Sequence, residues 1–329
     1  MTQASQVHPH FTGNITDSLG LATEMAQLRQ AIQTWAAQTH PEMHEAMAWQ
    51  FGAGSKYFRP LTLFSCHRAM SKAPITRGLI HAALAVEMVH NVSLIIDDIV
   101  DKSDTRRGKA TMHHRYGELQ AYMVSGYIVA DGYEIVCDPE AYEPEEFNPA
   151  LVRLNVRLLS ELLKRLGVAE CMQWRLRRQP LGVEDWRLIA GEDTGSMFEV
   201  CACLGTRSEA LRQYGRLLGM VYHGCDDVGD VRGALALGGG GKEDVRDGIL
   251  TLPAVLPIRH PEIRAVFCKP EPSDAERHAS DPHQLIGLVE HTRRLSQAIP
   301  ALDGRAETMS PPATTRRRGD RTSRCGRRP

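Results

Sequence analysis

Six aspartates in two matched groups are the residues of this sequence best suited to chemistry. Asp97, Asp98 and Asp101 read D-D-I-V-D, and Asp226, Asp227 and Asp230 read D-D-V-G-D. In each group the first and last aspartates are four apart, which on an α-helix puts them on one face, a turn from each other. Each group ends a helical apolar stretch, where three like charges repel one another and resist burial. A cation relieves that cost, and hard carboxylate oxygens favour Mg²⁺ over zinc. One such group alone is equally the mark of a solvated helix end. Two with the same spacing point to Mg²⁺ ions held around a diphosphate.

Cationic segments accompany the acids. Arg106-Arg107-Gly108-Lys109 follows the first group, and Gly54-Ser55-Lys56-Tyr57-Phe58-Arg59-Pro60 precedes it. Arginine grips phosphate oxygens through a two-pronged fork, and glycine lets the backbone approach. Taken singly, these are a solvated pair and a turn before a helix. Together with the acids they imply two anionic substrates meeting over metal.

The elements that must position these groups read as helices, predicted over 17–38, 60–70, 76–101, 117–136, 150–179, 183–204, 207–231 and 250–258. The first carries Leu21, Met25, Leu28, Ile32 and Trp35 at spacings of three and four, behind the caps Asp17 and Ser18. The run 76–101 is apolar on most faces and should be buried or line a cavity. Segment 138–149, with three prolines, should be a solvated loop, and the four glycines at 238–241 a flexible one. Alternating strand patterns bounded by hairpin turns are missing, so the expected class is all-α.

Of the 329 residues, 42% are apolar and 24% charged, which excludes a disordered chain. The expected organisation is a flexible segment 1–16, one helical domain 17–302 and an Arg-rich, disordered tail 303–329. The tail from 305 carries eight arginines against two acids, so the net charge of −1 divides into +6 there and −7 elsewhere. Such a tail is read as solvated, and nucleic acid is not an expected partner. No transmembrane run and no signal peptide are expected, and the eight scattered cysteines suggest a reduced, cytoplasmic protein.

The motifs resemble those of the trans-isoprenyl diphosphate synthases. GSKYFRP is similar to that family's G-G-K-x-x-R-P, and IIDDIVDKSDTRRGK to its first aspartate-rich region. GMVYHGCDDVGDVRG is similar to the second region, and DVRDGILTLP to the segment after it. The resemblance covers about residues 20–260. It implies an antiparallel helical bundle around a central cavity, a homodimer, and an Mg²⁺-dependent prenyltransferase joining isopentenyl diphosphate to the allylic dimethylallyl, geranyl or farnesyl diphosphate.

By the same resemblance, Asp97, Asp101 and Asp226 hold Mg²⁺, supported by Asp98, Asp227 and Asp230. Lys56, Arg59, His90 and Arg107 hold isopentenyl diphosphate, and Arg106 the allylic diphosphate. Thr194 lies beside the forming carbocation, and His223, where the family has glutamine, is placed on the substrate side. Asp193 stands where the family has lysine and Ile249 where lysine is frequent, and the nearby Lys242, displaced by the four glycines, is a partial substitute. Chain length is read from Val92 and Ser93, one turn below Asp97, both small. They leave room for a C20 product, geranylgeranyl diphosphate, unless Met88, Met123 or Tyr127 closes the cavity elsewhere. Farnesyl or longer products, and a catalytically weakened partner subunit, remain the alternatives. A terpene cyclase is disfavoured by the second D-D-x-x-D group and GSKYFRP.

Overall fold

The computed structural model describes residues 15–52, 55–231, 244, 247–249 and 251–268, with only the backbone of Asp230, Val231, Ile263 and Val266. Gly54, Lys242, the glycine run, Leu250, the stretch 269–302 and the tail from 303 lie outside the described residues, as does 1–14 of the N-terminal segment. The fold is all-α, as expected. Its helices are α1 (Ala22–Gln38), α2 (Pro41–Phe51), α3 (Phe58–Met70), α4 (Arg77–Val100), α5 (Met112–Tyr116), α6 (Glu118–Cys137), α7 (Pro149–Leu176), α8 (Val183–Glu192), α9 (Thr194–Thr206), α10 (Arg212–Val231), α11 (Leu252–Val255) and α12 (Pro261–Phe267).

The central element is α4. Thr76 caps it, accepting from the Leu79 amide at 3.4 Å, and its side chains from Gly78 to Val92 are almost all buried. By length and composition α4 would pass for a membrane span, but most of it lies inside the protein, packed on α1, α3, α6 and α9. An apolar helix enclosed by its neighbours needs no bilayer.

Several boundaries differ from the sequence reading. The first helix breaks after a turn at 15–18, because Gly20 takes a φ of +63° before α1 begins. Helix α2, whose Pro41 suits a first turn, was not foreseen. Nor was the hairpin of β1 (Thr105–Arg106) and β2 (Lys109–Ala110), paired Thr105 to Ala110 and Arg106 to Lys109. It is too short to show alternation, and its turn residues Arg107 and Gly108 both have positive φ. The helix predicted over 183–204 is two, because Asp193 leaves the helical region at φ −81°, ψ −106°.

Helices α9 and α10 approach closely through glycine. A Cβ on Gly215 would lie 2.5 Å from the Phe198 carbonyl oxygen, and one on Gly219 would lie 2.6 Å from that of Thr194. The backbone, unlike a flexible side chain, cannot yield. Gly219→Ala should therefore push the helices apart and cost about 1–3 kcal/mol, read in urea denaturation. This contact fixes Thr194 against His223.

Candidate active site

The turns of α4 present Glu87, His90, Asn91, Leu94 and Asp98 to one pocket, faced by Ser55, Tyr57, Arg106 and Arg107. His90 is only 7% exposed, and burial with the charges of Arg59 and Arg107 holds its pKa well below the usual value. Arg59 Nη1 lies 3.0 Å from His90 Nε2. A guanidinium only donates, so Nε2 accepts and the ring proton sits on Nδ1. That Nδ1 is buried with no hydrogen-bond partner among the described residues. The pocket thus holds a neutral imidazole with an unused N–H, beside guanidinium groups. This suits an anionic oxygen.

The hairpin turn keeps Arg107 exposed at the pocket while Arg106 reaches back to α4, its Nε 2.6 Å from Asp98 Oδ1. Helix α2 pins that hairpin. Trp49 Nε1 donates to the Ala110 carbonyl at 3.0 Å, and the Arg115 guanidinium lies 3.9 Å from the Trp49 ring centroid. Arg59, His90, Arg106 and Arg107 are therefore gathered on one side, and Lys56 is half-buried, between the pocket residues Ser55 and Tyr57 in the chain.

Asp97 sits on the neighbouring face of α4. Its pKa is pushed well above the carboxylate range by burial, and by the negative charges of Glu170, Asp193 and Asp101. Glu170, from α7, is itself pushed up to about 7 by burial and by Asp101 and Asp193. Carboxylates forced together in this way fit a hard divalent cation, which would relieve each of them. No three Asp, Glu, His or Cys side chains among the described residues are placed to hold one ion between them. That is compatible with Mg²⁺, which is commonly held by one or two carboxylates with water and substrate phosphate.

In the second group the described contacts are those of Asp227. Asp227 is buried, and its Oδ2 accepts from Trp186 Nε1 at 2.9 Å and from the Leu252 amide at 2.7 Å. It ties α8, α10 and α11 together. Asp226, one residue earlier, is only half-buried. The side chain of Asp230 lies outside the described residues.

Asp193 and His223, the two departures from the family pattern, meet each other. His223 Nδ1 is 3.3 Å from Asp193 Oδ2 and 2.9 Å from Thr194 Oγ1, and the Thr194 hydroxyl donates to Asp193 at 2.8 Å. Burial alone would lower the His223 pKa, but the Asp193 hydrogen bond and the charge of Asp227 raise it to about 9. Burial likewise opposes ionisation of Asp193, and the bond from His223 overcomes it and lowers its pKa. The imidazolium balances the Asp193 carboxylate, so the pair is neutral at a place where a lysine would be positive.

Val92 is buried on α4, while Ser93 points its hydroxyl back to the His90 carbonyl at 2.9 Å. Met88, two turns or more below Asp97, is fully buried, and its Sδ lies where a Cβ on Gly132 of α6 would be 3.6 Å away. Met123 is 56% exposed, and Tyr127 spends its hydroxyl on the His40 amide. Sequence reasoning missed Glu87 and Glu170. Glu87 carried a usable signal, a lone acid in an apolar helix three residues before His90. Glu170 carried none, since it comes from α7, far away in sequence.

The comparisons bear on the whole arrangement. Residues 40–278 match the family model described as polyprenyl synthetase. The chain is 30% identical over 256 residues to geranylgeranyl pyrophosphate synthase 4 of Arabidopsis thaliana, across 72% of this chain and 65% of that protein. It is 28% identical over 242 residues to farnesyl diphosphate synthase of Geobacillus stearothermophilus, across 69% of this chain and 79% of that one. The fold matches that of geranylgeranyl pyrophosphate synthetase from Pyrococcus horikoshii with a TM-score of 0.67 at 22% identity, over 87% and 90% of the two chains. With a family model matching most of its length, the chain belongs to the polyprenyl synthetase family.

Proposed function

We propose that this protein is a prenyltransferase that condenses isopentenyl diphosphate with an allylic diphosphate and makes geranylgeranyl diphosphate. The observation that carries the reading is the placement on α4. Its buried His90 Nδ1, without a partner among the described residues, belongs to a cationic pocket, and the Asp97 carboxylate cluster begins two turns further on. In this mechanism Arg59 orients His90 towards the diphosphate of the isopentenyl substrate, with Arg107 at the pocket mouth. Arg106, held by Asp98, faces the allylic diphosphate. Asp97, Asp101 and Asp226 would hold Mg²⁺, with Asp98, Asp227 and Asp230 supporting. When bound, Mg²⁺ supplies charge neutralisation for the departing diphosphate. The Thr194 hydroxyl, oriented between Asp193 and His223, offers an oxygen dipole to the developing carbocation.

The His90 pocket and the Asp97 carboxylate cluster favour an enzyme over an inactive partner subunit, and the Asp193–His223 pair leaves that site neutral instead of negative. For chain length, buried Met88 is the reading's floor, beneath Val92 and Ser93. Met88→Ala should lengthen the main product beyond C20, and Ser93→Phe should shorten it to C15, read by mass spectrometry after dephosphorylation. An apolar strip on α6, exposed at Leu119, Tyr122 and Met123, supports a homodimer. The seven described cysteines are free thiols, as suits the proposed cytoplasmic setting. The deciding test supplies purified protein with Mg²⁺, isopentenyl diphosphate and C5, C10 or C15 primers. A dominant C20 alcohol supports the proposal, and no product from any primer overturns it.

A further inference from the structure

The pocket built for an anion contains a carboxylate that its proposed task does not require. Glu87, 2% exposed, lines the same walls as His90, Arg106 and Arg107. One oxygen accepts from the Ser55 hydroxyl at 3.3 Å. The groups that face it are Ser55 and Tyr57 from the segment before α3, Arg59 from α3, Arg107 from the hairpin, Cys201 from α9 and His90 on its own helix. Only the two arginines among them carry charge near neutral pH. With the pocket empty, the Glu87 anion balances those guanidinium groups. A diphosphate brings two or three negative charges to the same place and takes over that balance. The Glu87 charge then has no compensation in a buried site, where an unpaired anion is costly.

We infer that Glu87 is the resident counter-anion of this pocket, and that an entering diphosphate displaces it from that role by driving it to take up a proton. The proton comes from solvent or buffer and joins a carboxylate oxygen, and no other bond changes. The inference rests on the proposed reading of the pocket as a diphosphate site. Burial already pushes the pKa of Glu87 up to about 7, against the pull of Arg59, Ser55 and Arg107, so the added anion has little further to move it. By linkage, anion binding weakens as pH rises above that value, because a proton must be bound along with the anion.

Methanedisulfonate is a suitable probe, since it has the shape of a diphosphate and its charge does not change between pH 6 and 9. Its Kd for the full-length protein, measured without Mg²⁺, should weaken about tenfold from pH 7 to pH 8.5. In Glu87→Gln the same series should change by less than twofold. A flat profile for the wild type, or an unchanged slope in Glu87→Gln, overturns the inference alone. Failure of both pyrophosphate and methanedisulfonate to bind overturns the diphosphate reading and this inference with it. Should Glu87→Gln not fold, the wild type decides by calorimetry at pH 7.5 in buffers of different ionisation enthalpy. Uptake of more than about half a proton per anion supports the inference, and no uptake refutes it.

Discussion

Asp97→Asn should remove about 10²–10³-fold of kcat while leaving the metal-free protein as stable as the wild type, or more so. The two effects have one cause. Burial and the charges of Glu170, Asp193 and Asp101 raise the Asp97 pKa in the folded state. A raised carboxylate pKa means that ionisation opposes folding, and this penalty develops as pH rises from the unfolded value near 3.8. An amide of the same shape carries no such penalty. It is also a poor ligand for a hard cation, and loss of one group stabilising a departing anion typically costs 10²–10³ in rate. Melting curves in EDTA and steady-state rates in Mg²⁺ test the two halves separately. A lower melting temperature, or near-normal turnover, would count against the placement of Asp97 in the charge cluster.

Asp227→Ala should do the reverse, destabilising the fold by about 3–5 kcal/mol. Second in its motif, where Asp98 stands in the first, it spends its carboxylate on Trp186 Nε1 and the Leu252 amide, and lies 3.7 Å from His223 Nε2. Removing it leaves two buried donors without an acceptor and an imidazolium short of one counter-charge. Trp186→Phe, which removes one donor, should cost less. A pH series adds a check. The folded pKa of His223 is raised to about 9, so its ion pairing contributes fully below about 6.5 and is lost as pH rises through 9. The stability gap between wild type and His223→Gln should accordingly close above pH 9. Chemical denaturation of each variant measures these differences, and an Asp227→Ala protein as stable as wild type would refute the assignment.

These contrasts mark what could be read from sequence. Spacing alone placed Asp97 with Asp101 one turn apart, made α4 a buried helix with Thr76 before it, and gave the all-α class, because helical periodicity is a local property. It also put Arg106 and Arg107 beside the first aspartate group, since they lie within ten residues of Asp97. Local pattern did not reveal that Asp193 breaks a helix and then pairs with His223, thirty residues away. Nor did it reveal that Trp49 of α2 would hold the hairpin, or that the first aspartate of one motif and the second of the other would meet such different surroundings. Asp97 faces other carboxylates, and Asp227 faces an indole and an amide. The sequence determined which side chains share a helix face, through the fixed 3.6-residue turn. Only packing between distant helices decided what each face meets, and that environment sets whether a carboxylate stores charge for chemistry or holds the fold together.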